Sequence, residues 1–481
     1  MKKRRALIIV TLICALTMTA VGLAAMSVPA NNEPEEKDAH HYIGRGDIYY
    51  QDGEYEMALA SYQKALEVDA ENTAALHGQA LCNSALGYTE EAIADYEKLA
   101  AAVPEDAEIQ LERVNAMIVA GDLEDAKTTL EGLLSTFDNE KMDQLYQQMT
   151  VAAPQADLQS GTYDSYQLLN MTSENTNAAI YYTTDGTEPH SGSRVYTEHL
   201  VISAPSTVLK AKCINYLGYE SEVIELDYTI TVPVERIMNR DYSSFGNAVK
   251  EALNRGYSQP IYNYEVAQIT SLYIVGDGYY SSPDATTFYR NSFNPGNYAS
   301  NYSDRGDGDL SKLKYLPFLE TLVVCWQNNV SLQPVSELQY LKNLSLLNNN
   351  ITDISPLSKL SGLEKLALGW NNIQDISALQ GMENLVSLGL WNNQIKDISA
   401  VTQLTELQYL DIANNQVASL DAVSQLHNLQ EFWANGNQIT SLSPLDPDGV
   451  LRVLMISDNP LEDYETWKDA HPHLVRADIL D

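Results

Sequence analysis

Three groups of residues in this sequence have the types and spacing to do chemistry. Asp185 and Glu188 are carboxylates three positions apart, a pair that could move protons at a glycosidic bond. They sit in IYYTTDGTEP, residues 180–189. There Asp-Gly makes a hairpin turn and Glu-Pro ends it, so the pair reads as a turn. DRGDGDL, residues 304–310, spaces its carboxylates as a calcium loop does. Ser303 and Arg305 stand at its early ligand positions and no glutamate closes it, so calcium is not expected. The third group is aromatic. Trp326, Trp370, Trp391 and Trp433 recur at one kind of position, Tyr409 falls among them, and only Trp467 of the five tryptophans lies elsewhere.

Other reactive patterns are weaker still. Arg-Gly-Asp occurs at 45–47 and 305–307; the first has Gly46 at a small helix-packing position, and the second lies in an insertion. His40-His41 and His471-Pro472-His473 read as solvated rather than metal-binding. Cys14, Cys82, Cys213 and Cys325 are dispersed one to a segment, so no segment closes an internal disulfide and no pair has metal-ligand spacing. The sequence holds no G-x-S-x-G, HExxH or phosphate loop. A non-catalytic chain without cofactor or metal is the expectation.

The aromatic positions make sense once the repeat that carries them is seen. Leu341, Leu363, Leu385, Leu407, Leu429 and Leu451 are 22 apart, and so are Asn349, Asn371, Asn393, Asn415, Asn437 and Asn459. The unit reads L-x-x-L-x-L-x-x-N-x-I-x-D-I-S, as in LEKLALGWNNIQDIS. It resembles the leucine-rich repeats of internalin-like bacterial surface proteins, which implies a solenoid with a short parallel strand per repeat. Leucines would point inward, the asparagine amides would form a ladder, and DIS with Pro356 or Pro444 would make a 3₁₀ segment on the convex side. The first copy, Leu319–Tyr340, departs from the register around Gln327–Val330. Upstream, FGNAVKEAL (245–253) reads as a helical cap and ITSLYIV (269–275) as a leading strand; a Gly-, Asn-, Ser- and Tyr-rich insertion follows at 276–309.

By the pleat of the strand, residues between and just after the second and third leucines face the concave sheet. That places Trp326, Trp370, Trp391, Tyr409, Asp411, Glu431 and Trp433 outward, beside Asn343, Asn348, Gly369, Asn392, Ala413, Asn414 and Asn435. Rings supply contact area and amides supply hydrogen bonds, so these seven are the candidate partner-binding residues.

Two further segments precede this array. Between 39 and 150 a 34-residue shift aligns Gly53, Gly87 and Gly121, then Ala58, Ala92 and Ala126, then Tyr62, Tyr96 and Leu130. GEYEMALASYQKALEVDAEN resembles the second half of a tetratricopeptide repeat, implying paired helices with a groove for protein or peptide. Asn83 and Arg113 break the family's small-residue pattern in the later copies. Asn139–Met149 is expected to cap the array. This segment has 22 acidic and 6 basic residues, so a basic ligand suits its groove. From 154 to 231, Thr, Tyr, Val and Ile alternate with polar residues. SGTY (160–163), IYYTTDGTEP and LKAKCINYLGYES (209–221) resemble the β-sandwich at the C-terminus of chitobiase and β-hexosaminidase, an accessory module without catalytic residues.

The amino end reads as an address. Lys2, Lys3, Arg4 and Arg5 precede an uncharged run from Ala6 to about Val28, long enough to span a bilayer core of roughly 30 Å. The basic flank before it and the acidic residues after it hold the amino end in the cytoplasm. It is either an uncleaved signal anchor or a signal peptide, with Val28-Pro29-Ala30 as the cleavage alternative. The whole chain has 29 basic and 65 acidic residues, net −36, which repels phosphate backbones and makes nucleic acid an unexpected partner.

The expected architecture is therefore an anchor or signal at 1–30, an acidic linker at 31–38, an all-α repeat solenoid at 39–150 and a small all-β sandwich at 154–231. A cap and insertion follow at 232–318, then an α/β leucine-rich solenoid with a parallel sheet at 319–481. Function is expected to be protein binding at the extracellular face of a bacterial membrane, with carbohydrate or cell-wall glycan as the alternative ligand.

Overall fold

The computed structural model describes residues 38–239, 241–256, 258–276, 278–279, 306–445, 450–470 and 476–478. The expected anchor at 6–28, nearly all of the acidic linker, most of the insertion, Arg305 of the second Arg-Gly-Asp, and His471 and His473 lie outside them. Among the described residues no helix is long and apolar enough to cross a membrane. The chain divides into two compact units. One holds residues up to Asp157 with Met171–Glu198 and Val208–Leu226; the other holds Leu158–Asn170, His199–Thr207 and Asp227–Asp481.

The first unit opens with the helices Ala39–Gln51, Tyr55–Val68, Thr73–Leu86, Thr89–Ala102, Ala107–Ala120, Leu123–Leu134 and Glu140–Met149. Asp38, Asn72 and Asp106 start alternate helices, their side chains accepting from the N–H groups of His41 (3.0 Å), Ala75 (3.1 Å) and Ile109 (3.3 Å). Gly53, Gly87 and Gly121 then turn the chain at φ of +78°, +78° and +93°, the left-handed region that favours glycine. Ala58, Ala92 and Ala126 are buried where the paired helices touch. The Tyr62 ring fills a slot between two further glycines: a Cβ at Gly46 would meet it at 2.7 Å and one at Gly78 at 2.3 Å. The first Arg-Gly-Asp therefore has its glycine inside a helix contact. Asn83, which departs from the small-residue pattern, is buried and donates to Asp95 at 2.8 Å, and Gln79 donates to the same carboxylate at 2.8 Å. A polar clasp there adds to the apolar packing of Leu76, Ala80, Tyr96 and Leu99 in that repeat.

The strands of the segment 154–231 divide between the two units. In the first unit Ala178–Thr183 pairs antiparallel with residues 210–215, from Ala178↔Asn215 to Thr183↔Lys210. Asp185 accepts the N–H (3.1 Å) and hydroxyl (2.6 Å) of Thr187, which hold its carboxyl below the usual range, and Gly186 has φ +79°. Glu188 pairs with Lys210 at 2.5 Å. Both carboxylates serve the turn. The second unit contains the antiparallel pair Gln167–Leu169 with Leu200–Ile202, and Gly161–Tyr163 running parallel to Tyr228–Ile230.

Within the first unit the β domain also completes the helical core. Tyr219 is buried among Val114, Ala126, Leu130, Met142 and Met149, and its hydroxyl donates to Leu123 O at 3.1 Å. Burial, with Glu124 nearby, pushes that phenol up to about 12. Asn215 donates to Gln148 O at 2.5 Å, at the end of the last helix.

The second unit is built on one long sheet. Ser271–Val275, the expected leading strand, is followed in parallel by Thr321–Cys325, Asn343–Ser345, Lys365–Ala367, Ser387–Gly389, Tyr409–Asp411, Glu431–Trp433, Val453–Met455 and Arg476–Asp478. The register advances by one repeat per strand: Leu322, Leu344, Leu366, Leu388, Leu410, Phe432 and Leu454 stand side by side. Those residues and the other repeat leucines form a single core with the helix Ser244–Ala252, which Ser243 caps at the amino end. A buried leucine side chain contributes about 2 kcal/mol, and no one repeat encloses its own. The opposite arc is 3₁₀ at Val335–Glu337, Ser355–Lys359, Ser377–Leu379, Ser399–Gln403 and Asp421–Val423, whereas Pro444 sits in a turn. Cys82, Cys213 and Cys325 are buried and free; burial pushes the thiols of Cys82 and Cys325 up to about 12.

Candidate functional site

The candidate surface is set by what happens where the chain leaves each strand. Asn371 shows the device. Its Oδ1 accepts from Asn349 N and Ile351 N, both at 3.0 Å, and its Nδ2 donates to Leu346 O and Leu368 O, both at 2.8 Å. Asn393, Asn415, Asn437 and Asn459 repeat the pattern. These amides satisfy backbone groups that have no strand partner and no water. The first repeat, expected to depart from the register around Gln327–Val330, holds it at Gln327 and departs just after, where exposed Asn329 takes the place of buried Ile351 and Val330 follows one position late. Gln327 stands where the asparagine would be, takes Asn349 Oδ1 with its N–H (2.8 Å), and extends its longer amide to Gly276 O (2.6 Å). An asparagine is one methylene shorter, and the leading strand before this repeat has a different exit.

One residue before each ladder amide, the backbone is left-handed. Trp326, Asn348, Trp370, Asn392, Asn414 and Asp458 have φ of +59°, +56°, +60°, +54°, +54° and +56°, and Gly436 has +69°. Each of the first six positions in this row donates its N–H to the following repeat. Trp326 donates to Leu347 O (3.1 Å), Asn348 to Gly369 O (3.1 Å), Trp370 to Trp391 O (2.9 Å), Asn392 to Ala413 O (2.8 Å), Asn414 to Asn435 O (2.8 Å) and Gly436 to Ser457 O (2.9 Å). Asn414 also donates its side-chain amide to Asn392 Oδ1 at 2.9 Å. The row is a rigid rim along the sheet.

The seven expected contact residues divide on this frame. Trp370 is 45% exposed and Glu431 is exposed, while Trp326 and Trp433 are half-buried. Trp391, Tyr409 and Asp411 are buried, at 1%, 7% and 0% exposure, which corrects their expected role as open contacts. Trp391 belongs to an apolar layer with Val323, Cys325, Leu347, Ala367 and Ala413. Its ring occupies the space left by two glycines: a Cβ at Gly369 would lie 2.3 Å from it and one at Gly389 2.2 Å. Asp411 accepts from Ala413 N at 3.0 Å and from the Tyr409 hydroxyl at 3.4 Å, so its carboxylate is engaged within the sheet. Among the described residues no group of three or more His, Cys, Asp or Glu is placed to hold a metal ion.

Family models match this array: Leucine Rich repeats (2 copies) cover residues 341–381, 383–425 and 405–447. The rim belongs to leucine-rich repeats. Two models of the tetratricopeptide kind, TPR repeat and Tetratricopeptide repeat, match residues 46–81 and 83–149, and the Chitobiase/beta-hexosaminidase C-terminal domain matches 158–225. Among solved structures, an internalin C2 from Listeria monocytogenes is 25% identical, over 49% of this chain and 92% of its own, with a TM-score of 0.42. A second internalin from Listeria monocytogenes is 24% identical over 50% of this chain and 76% of its own, with a TM-score of 0.35. The first TPR of Spaghetti (RPAP3), solved bound to an HSP90 peptide, is 22% identical over 23% of this chain and 88% of its own, with a TM-score of 0.22. An endoglucanase from Clostridium saccharobutylicum is 55% identical over 42 residues, and the chain spans 9% of that relative's length.

Leucine-rich and tetratricopeptide repeats are interaction modules that leave a concave surface open while burying their own cores. The leucine-rich rim exposes an indole among amides, while Asp185 and Glu188 are engaged at a turn and Cys82, Cys213 and Cys325 are buried.

Proposed function

We propose that the chain is a non-catalytic adaptor at the extracellular face of a bacterial cell membrane, held there through residues 6–28. It binds a protein partner along the leucine-rich rim and admits a second, basic ligand in the helical groove. The observation that carries this reading is the exposed indole of Trp370 on a fixed backbone, in line with Trp326 and flanked by Asn348 and Asn392. A large ring held rigid beside amides is the make-up of an interface anchor. The acidity of the helical segment supports a cationic ligand there. The basic cluster before an uncharged run supports the anchor and its orientation.

The test has two arms. Protease added to intact cells should remove the repeat region and leave a short protected amino-terminal piece; full protection of the repeats would place them inside. The full chain, crosslinked on cells, should capture a defined surface protein that the Trp326→Asn, Trp370→Asn double variant releases. Unchanged capture by the folded variant would move the binding surface off this rim.

A further inference from the structure

Trp326 and Trp370 stand in a row where the other repeats carry Asn348, Asn392, Asn414, Gly436 and Asp458, all at φ between +54° and +69°. Glycine, asparagine and aspartate are the residues that tolerate this basin, and a bulky side chain is held there against its preference. Folding alone therefore favours asparagine at 326 and 370. The contrast with Trp391 sharpens the point: that ring is paired with glycines that receive it, whereas Trp370 remains 45% exposed. Strain kept at an exposed ring marks a ligand contact.

The spacing says what kind of ligand. Adjacent strands lie about 4.8 Å apart, so two positions two repeats apart in the row are separated by about 9.6 Å. A β-strand ligand presents one face every two residues, about 6.7 Å, and does not match. A polyproline II helix presents one face every three residues, about 9.3 Å, and does. Its carbonyls carry no internal hydrogen bonds and so can accept from a partner. From Trp326 through Asn348, Trp370, Asn392 and Asn414 to Gly436 the row contains no charged residue, although the whole chain carries −36. A neutral, preformed and extended segment fits such a strip at little entropic penalty.

We propose that Trp326 and Trp370 are the paired anchors of a site for a polyproline II segment of a partner protein, with prolines spaced P-x-x-P. This rests on the protein-binding reading and adds the chemistry of the partner. The full chain in detergent micelles is titrated calorimetrically with a P-x-x-P peptide and with a peptide of the same composition spaced P-x-P. The first should bind at least tenfold tighter. W326N and W370N should each weaken it at least tenfold while Tm holds or rises, because asparagine suits the left-handed backbone. No binding of the P-x-x-P peptide, or equal binding by the variants, overturns the proposal. If the peptide fails while a proline-free surface protein is captured and then released by the variants, the polyproline site falls and protein binding stands. If the variants lose only binding to an arrayed glycan, both fall.

Discussion

Gly369 and Trp391 are separated by 22 residues and packed against each other: a Cβ on the glycine would stand 2.3 Å from Trp391 Cε2. Gly389, two residues before the tryptophan in the same strand exit, leaves the rest of the ring's footprint, with 2.2 Å to Cζ3. The indole is held by what its neighbours lack.

Replacing either glycine should therefore push the ring out of its slot. Gly369→Ala and Gly389→Ala are each expected to destabilise the second unit by about 1–3 kcal/mol, the usual penalty of overpacking. Gly362→Ala is the matched control, since only Leu341 O lies near its Cβ, at 3.9 Å; it should stay within about 0.5 kcal/mol of the wild type. Denaturant unfolding of the three variants separates the cases, and equal stability would refute the slot.

The ladder amides carry more than their own hydrogen bonds. Asn393→Ala strands Ile373 N, bound at 3.0 Å, and takes one of two amide donors from Leu368 O and from Leu390 O, which keep Asn371 and Asn415. Leaving the buried N–H unsatisfied should lower stability by roughly 2 kcal/mol. Thermal unfolding followed by circular dichroism measures it; a loss below about 1 kcal/mol would show that water replaces the amide.

Acid should find the pair Asp241 and Lys312. Burial raises the Asp241 carboxyl, but Lys312 at 2.5 Å and the hydrogen bonds of Ser243 outweigh it and bring it down to about 2. A folded value below the unfolded one stabilises above the unfolded value, and the gain is lost as pH falls through the folded value. Between about pH 4 and pH 2 the second unit should lose up to about 2 kcal/mol from this group. Asp241→Asn should flatten that part of the stability-against-pH curve; an unaltered slope would assign the acid loss to other carboxylates.

Tyr219 is one link between the β domain and the helices of the first unit, beside the bond from Asn215 to Gln148 O. Tyr219→Phe loses the bond to Leu123 O and should lower stability by about 1 kcal/mol. Tyr219→Ala also empties the space among Val114, Leu130, Met142 and Met149 and should lower it by about 4 kcal/mol. Hydrogen exchange over Glu140–Met149 should quicken far more in the alanine variant. Equal protection in both would show that the last helix is held without the Tyr219 ring.

Much of this fold is legible in the residues. The 22-residue register places the leucines and ladder asparagines from Leu341 onward, and the 34-residue register places Gly53, Gly87 and Gly121 at their turns. The candidate site is legible only in part. The pleat sends the Trp391 position outward, yet it cannot say whether a ring stands up or lies flat. Gly369 and Gly389 were the available sign, because a glycine at an outward position of a strand is room made for something. Gln327 reads as a break in the repeat because the pattern is written in asparagines, while what the position needs is an amide of the right reach. The left-handed rim was visible as well, in the alignment of Asn348, Asn392, Asn414 and Gly436 with two tryptophans. Burial of Asp411 and Tyr409 depends on neighbours across strands and has no counterpart in the one-dimensional pattern.

The ladder has a direction. Outside its own repeat, Asn393 bonds Leu368 and Ile373, Asn415 bonds Leu390 and Ile395, and Asn437 bonds Ile412 and Val417, always toward the amino end. A repeat is thus clamped by the one after it. Tension applied at the carboxyl end undoes the clamps in order, each release freeing one repeat, roughly 70 Å of extended chain. Stretched that way, the array gives way stepwise and limits how high the tension along the chain can rise.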